Sequence, residues 1–189
     1  MPETLLPHGG FEEMKSFQLA RLIFDITARF AEMYSDTKSR TRDQMTQAAR
    51  SGVQNIAEGS EAAATSRKTE LKLTNVARAS LVELRLDYQD FLRQHGLPEW
   101  DADHPALLEF KRRRISDMAA FRAWVQDMRE AMPQTRQATI VANGALSLLN
   151  LTIYLLRKQM DAQAATFERE GGFSEHLYGV RQKTRREKK

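Results

Sequence analysis

Four long stretches of this chain repeat apolar residues at alternating steps of four and three, a spacing that only an α-helix gathers onto one face. In the first, about residues 12–34, Leu19, Ile23, Ile26, Phe30 and Met33 keep the step, and Phe17, Ala20, Phe24, Thr27, Ala31 and Tyr34 widen the stripe. The second opens at Thr41, where TRDQ fits a capping box, and carries Met45, Ala49, Gly52 and Ile56. Its small residues Ala48, Ala49, Ser51 and Gly52 admit a neighbouring helix at close range, and Gly59 is read as its stop. The third starts from a Thr65 or Ser66 cap, runs through Leu73, Ala77, Leu81, Leu84, Tyr88 and Phe91, and ends at Gly96 and Pro98. The fourth, about residues 139–167, carries two stripes, so that residues 140–156 are apolar nearly all round.

Short polar links between the first three helices favour antiparallel neighbours. Residues 97–134 read as an insertion: an irregular stretch around Trp100, a helix opened by Pro105, and a stripe of Met118, Phe121, Val125 and Met128 closed by Pro133. The sequence therefore predicts an all-α fold, an up-down antiparallel four-helix bundle over residues 1–180. A helical insertion at 97–134 separates helices three and four. A span of membrane would need about 20 mostly apolar residues. The 140–156 run is shorter and contains Asn143, Gly144, Ser147, Asn150 and Thr152, so the helix is expected to be central or to lie at a subunit interface.

Composition narrows the chemistry. There are 189 residues, no cysteine, nine glycines and five prolines, which excludes a disulfide framework and a thiolate metal site and disfavours a turn-rich β fold. The amino-terminal stretch lacks a cationic start followed by an apolar run, so a cytoplasmic protein is expected. The formal net charge of +4 is unevenly placed. The last nine residues, RQKTRREKK, hold six cations and one acid, and the rest is almost neutral. This tail, 181–189, is expected to be disordered when free. A second basic run is Lys111, Arg112, Arg113 and Arg114. Such runs bind phosphate backbones by counterion release. The candidate nucleic-acid-binding residues are therefore those four with Arg181, Lys183, Arg185, Arg186, Lys188 and Lys189. A solubilising tail and a solvated helix face are the alternative.

The four histidines are scattered, and phosphate-loop and dinucleotide glycine signatures are missing. A polar stripe on helix two, Gln44, Ser51, Asn55 and Glu58, and one on helix three, Ser80, Glu83 and Asp87, are expected to meet as a buried network that fixes helix register. Glu58 and Glu83 would then be near each other. A di-metal oxidase would need Glu-x-x-His on two helices. The chain has no such motif, so no catalytic residue, metal or cofactor is expected.

Three segments carry a family resemblance: RDQ at 42–44, AARSGVQNIAEG at 48–59 and ARASLVEL at 77–84. They resemble the bacterial four-helix-bundle proteins found in intervening sequences of large-subunit ribosomal RNA genes, a family related to the accessory variability determinant proteins of diversity-generating retroelements. Residues 143–180, with FEREGGF at 167–173, resemble the suffix extension of one subgroup. The resemblance covers about residues 9–96 and 138–181. It implies a non-enzymatic bundle, a homopentameric ring, and association with nucleic acid and a reverse transcriptase through a basic surface. The function expected is thus an oligomeric nucleic-acid-binding scaffold. A protein-interaction module with an incidental basic tail and a metal-dependent enzyme are the alternatives.

Overall fold

The computed structural model describes residues 6, 8–34 and 40–187. Among them the secondary structure is entirely helical: a short 3-10 turn, Phe11–Glu13, then α1 (Lys15–Tyr34), α2 (Arg40–Ala62), α3 (Arg67–Gln94), α4 (Pro105–Arg113), α5 (Met118–Ala131), α6 (Gln137–Glu170) and α7 (Phe173–Glu187). The expected break after Tyr34 falls at 35–39, outside the described residues.

Helices α1, α2, α3 and α6 form a closed circuit, each packed on two of the others. Cross-helix contacts give their directions. Ser51 meets Ser80, and Gly59 lies against Leu73 and the Glu70 carbonyl, so α2 and α3 run oppositely. Arg67 meets Glu170, Glu70 meets Gln163 and Arg85 meets Asn150, so α3 and α6 do too. Ser16 on α1 donates to Gln159 on α6. The stripes read from the sequence are the core, with Leu19, Ile23, Phe30, Met45, Ile56, Leu81, Leu84 and Leu149 all buried. Tyr88 lies wholly inside and shares a 3.1 Å hydrogen bond with Thr27, which satisfies both hydroxyls; burial pushes its phenol well above the ordinary tyrosine range.

Local signals held where their partners were close in sequence. Ser66 caps α3 by accepting from Thr69 N at 3.1 Å, and Pro105 opens α4. Gly59 does not stop α2, which continues to Ala62. A side chain there would press on Leu73 and the Glu70 carbonyl, so the glycine is a site of close helix approach. Gly52 serves likewise, since a Cβ would stand 2.6 Å from Leu81 Cδ2.

The apolar circumference of α6 has a local explanation. One side faces the circuit, and the outer side of its first half is covered by residues 97–134. Gly144 leaves a notch in which Trp124 and Phe121 sit, 2.7 and 3.0 Å from where a Cβ would be. Asn143, 1% exposed, accepts from Trp100 N at 2.7 Å and donates to the Pro98 and Thr139 carbonyls at 3.0 and 2.9 Å. The amide thereby fastens the 97–104 linker to the helix. What stays exposed is farther along, Leu151 at 45% and Tyr154 at 56%. By length and composition the helical stretch Gln137–Lys183 would suffice to cross a membrane, but 61% of its apolar window is buried inside the protein.

Candidate nucleic-acid interface

The carboxyl-terminal cations are on a helix. Residues 181–187, expected as a disordered tail, form the second half of α7. Arg, Lys, Glu and Gln lose little rotamer freedom in a helix, so this run can extend one that is already nucleated. The nucleus is at the other end. Gly171, with φ 69° and ψ −168°, takes a conformation closed to other residues and breaks α6. Glu175 then accepts from Gly172 N at 2.9 Å, which caps the new helix. Tyr178 accepts from Gln182 one turn on. Arg181, Lys183, Arg185 and Arg186 are all exposed, and Arg181, Arg185 and Arg186 form no ion pair among the described residues. Lys188 and Lys189 lie outside the described residues.

The junction is clasped by Arg67, from the first turn of α3. Its guanidinium donates to the Thr166 and Gly171 carbonyls, both at 3.2 Å, and to Glu170 at 2.7 Å. A cation on the free carbonyls of a helix end is favoured by the dipole as well as by the hydrogen bonds. Arg169 and Arg67 together hold the Glu170 carboxyl below its usual range. Next to the clasp, Glu70 accepts from Gln163 at 2.8 Å; burial outweighs that bond and the Arg67 charge and pushes its carboxyl up. Neither Arg67 nor Glu70 was singled out from the sequence, because their partners lie about a hundred residues away.

The mid-chain run is in a different state. Glu109 accepts from Arg112 at 2.8 Å and from Arg113 at 2.9 Å, and those two hydrogen bonds hold its carboxyl down at about 2. Arg113 also reaches Asp127 on α5 at 2.6 Å. Lys111 donates to the Ala102 carbonyl at 2.6 Å. Arg114 ends α4 in the left-handed conformation, φ 50°. Lys111 and Arg113 thus tie α4 to the linker and to α5, Arg112 is paired within α4, and Arg114 extends from the helix end with no side-chain partner among the described residues. The structure does not bring this run together with α7 into one described surface patch.

The polar stripes meet in part. Ser51 and Ser80 share a hydrogen bond at 2.9 Å, and Asn55 donates to the Ser51 carbonyl and hydroxyl at 2.9 and 3.2 Å, all half-buried. Gln44, Glu58 and Glu83 are exposed. The expectation of a wholly buried network is corrected accordingly, and so is the expected proximity of Glu58 and Glu83. With Ser51 opposite Ser80 in antiparallel helices, Glu58 falls opposite residue 73 or 74. Glu83 lies about ten residues away, roughly 15 Å along the axis. Gln44, Ser51, Ser80 and Glu83 instead line a shallow polar depression with Arg40 and Asp43. Asp87 stands half-buried beside it, its carboxyl pushed up by burial and then by Glu83 and Asp90. Among the described residues no three acidic or histidine side chains are placed to hold a metal ion.

Comparison with curated proteins and with solved structures gives no match. A family model, that of the 23S rRNA-intervening sequence proteins, matches residues 13–100, which span α1, α2, α3 and the start of the following linker. The match includes the AARSGVQNIAEG and ARASLVEL segments, whose small residues and serines make the α2–α3 contact described above. Over this α1–α3 segment, a little under half of the chain, the sequence matches the 23S rRNA-intervening sequence protein family.

Proposed function

We propose that the protein is a non-enzymatic, oligomeric scaffold that binds nucleic acid electrostatically through α7. The observation that carries this is the state of Arg181, Arg185 and Arg186: exposed, on one short helix, and in none of the ion pairs found among the described residues, unlike Arg112 and Arg113. The family's name, which ties it to 23S rRNA, makes RNA the first ligand to test. Neither basic run interleaves aromatic residues in a stacking pattern, so contact is with phosphates and sequence preference is weak. The antiparallel circuit of α1, α2, α3 and α6 supports an up-down four-helix bundle into which residues 97–134 are inserted. Assembly, as a pentamer by resemblance, multiplies weak single contacts into avidity. An accessory role beside a reverse transcriptase is the narrower form of the same proposal and rests on resemblance alone; a cytoplasmic location accompanies both.

The test is binding of a structured RNA and of a random duplex at several salt concentrations, for the intact chain and for one ending at Val180. The intact chain is expected to bind both, with affinity falling steeply as salt rises, and the shortened chain to lose most of that dependence. Equal affinity of the two would make the tail a solubiliser and favour a protein-interaction module.

A further inference from the structure

Helix α5 carries two kinds of residue in adjacent lines. Met118, Phe121 and Val125 make the apolar stripe that packs on the core, and Arg122, Gln126 and Arg129 stand beside it at i, i+4 and i+7. On α1, Arg29 and Met33 stand one turn apart beside buried Phe30. Gln137 and Val141 come from the start of α6. These three helices enclose a cleft of about 260 Å³. Its lining is mostly apolar: Ile26, Phe30, Phe121 and Val125 are buried, Val141 is half-buried, and Met33 is 63% exposed.

The charge of the cleft has one sign. Among the described residues, Arg29, Arg122 and Arg129 line it and no acid does. None of the three forms an ion pair among those residues. The acids nearest in sequence are otherwise placed. Glu130 accepts from Gln126 at 2.7 Å, Asp127 holds Arg113, and Asp25 and Glu32, a turn either side of Arg29, form no ion pair with it. The Tyr34 hydroxyl is a further polar group; burial pushes its phenol up, and the nearby Arg129 charge opposes that shift. The larger concavity of the protein, about 1110 Å³ between α4, the 97–104 linker and α6, has no such bias, since Lys15, Lys111 and Arg114 share it with Glu99 and Asp101.

Three unpaired guanidiniums around an apolar cleft select a ligand that is both apolar and strongly anionic. A single carboxylate is satisfied by one arginine fork. A phosphate monoester carries a charge of about −1.5 to −2 and three acceptor oxygens, enough for two or three forks. The volume is below the roughly 300–1,000 Å³ that houses drug-sized ligands, so the apolar part of the occupant is about one ring in size. We propose that the α1–α5–α6 cleft binds a small phosphomonoester, its apolar body resting on Phe30, Phe121, Val125 and Val141 and its phosphate held by Arg29, Arg122 and Arg129. Arg122 and Arg129 are two turns apart, roughly 10 Å along the axis, a separation that two arginine side chains span onto one phosphate. The inference goes beyond nucleic-acid binding through α7 and does not depend on it.

The test is titration calorimetry of the full chain with phenyl phosphate, inorganic phosphate and phenol, at about 0.15 M salt to screen diffuse surface charge. Phenyl phosphate is expected to bind at one site in each chain with a Kd of about 0.1–1 mM, and the other two probes at least about tenfold more weakly. Arg122→Gln and Arg129→Gln in one chain, both at exposed positions, should weaken phenyl phosphate binding at least about tenfold. Arg185→Gln and Arg186→Gln, the same loss of charge on α7, should leave it within about twofold while RNA affinity falls. Val141→Phe, which fills the cleft, should weaken phenyl phosphate at least about fivefold and leave inorganic phosphate within about twofold. No binding of phenyl phosphate at about 10 mM, equal affinity for inorganic phosphate, or equal losses from the two arginine pairs would overturn the proposal. So would displacement of phenyl phosphate by the structured RNA, which would make the cleft part of the nucleic-acid surface. Failure of the α7 pair to affect RNA binding would instead count against the nucleic-acid function and leave the phosphomonoester site standing, so the two readings fail separately.

Discussion

The two basic runs have nearly the same composition and opposite circumstances. At 111–114 an acid one turn back and another on α5 hold the guanidiniums, so the charge builds a contact between α4 and α5. At the second run Glu175 is engaged with Gly172 N, and Arg181, Arg185 and Arg186 form no ion pair among the described residues. The first run is structural in use and the second is presented to the surroundings. A count of lysine and arginine cannot tell these apart; what matters is whether an anion of the same chain has already taken the place of a phosphate.

That contrast can be broken most sharply by deletion. Removing residues 181–189 takes away six cations and is expected to reduce RNA affinity about 10³-fold at low salt and to lower the log–log salt slope by about five, as read by a binding titration. Replacing Arg112 and Arg113 together by alanine should leave the affinity within about twofold in the same titration; a loss comparable to the deletion would show that the ion pairs open on binding.

The clasp comes next in size. Arg67→Ala leaves three acceptors at the α6 terminus without their donor and is expected to cost about 2 kcal/mol by denaturant unfolding. Hydrogen exchange should show the loss concentrated at residues 163–175. A uniform loss would mean that Arg67 acts through α3 alone.

A smaller effect sharpens the contrast from the other side. Glu109→Gln releases Arg112, while Arg113 keeps its pair with Asp127, and RNA affinity should rise about twofold as one more cation becomes available. The same carboxylate gives a pH dependence of known sign. Its folded value of about 2 lies below the ordinary carboxylate value. Its stabilising contribution is therefore complete above about pH 4.5 and fades as pH falls toward 2. Both tryptophans, Trp100 and Trp124, lie in the 97–134 segment, so their fluorescence reports this locally. The acid transition of that signal should move to higher pH in Glu109→Gln.

The smallest expected effects are on the α2–α3 stripe. Asn55→Ala should cost about 1 kcal/mol, for its two bonds to Ser51. Glu58→Ala should change thermal stability by less than about 0.5 kcal/mol, since the side chain is exposed.

Much of this was legible in the sequence, because periodicity is a local property. The four stripes, the Ser66 cap, Pro105 and the close approach at Gly52 all follow from residues within a few positions of one another. Even the pairing of Glu109 with Arg112 and Arg113 could have been found from its three- and four-residue spacing. What was not legible depends on chain segments meeting. Asp127 neutralises Arg113 from another helix. Arg67 and Gly171 meet across about a hundred residues. Gly144 and Asn143 read as interruptions of an apolar run, yet they are the notch for Trp124 and the fastener for Trp100. Gly59 looked like a stop because a glycine required by a neighbouring backbone has the same letter as one required by a turn. The tail looked unstructured because its composition cannot build a core, although it has only to prolong a helix begun at Phe173.

The position of α6 in this architecture has a consequence for timing. Helices α1 to α3 are synthesised with their common face open, and the 97–134 segment follows with its tryptophan socket still unmade. Both are closed by the same late helix, whose last residues seat Arg67. Between Gln94 and Glu170 a ribosome working at about 5–20 residues per second needs roughly 4–15 s. During that interval the faces of α1 and α3 that α6 will cover have no partner. A chaperone that shields three-helix intermediates should therefore matter more to the yield of this protein than to that of a bundle built in unbroken succession, and slow codons after position 94 should lower its soluble expression.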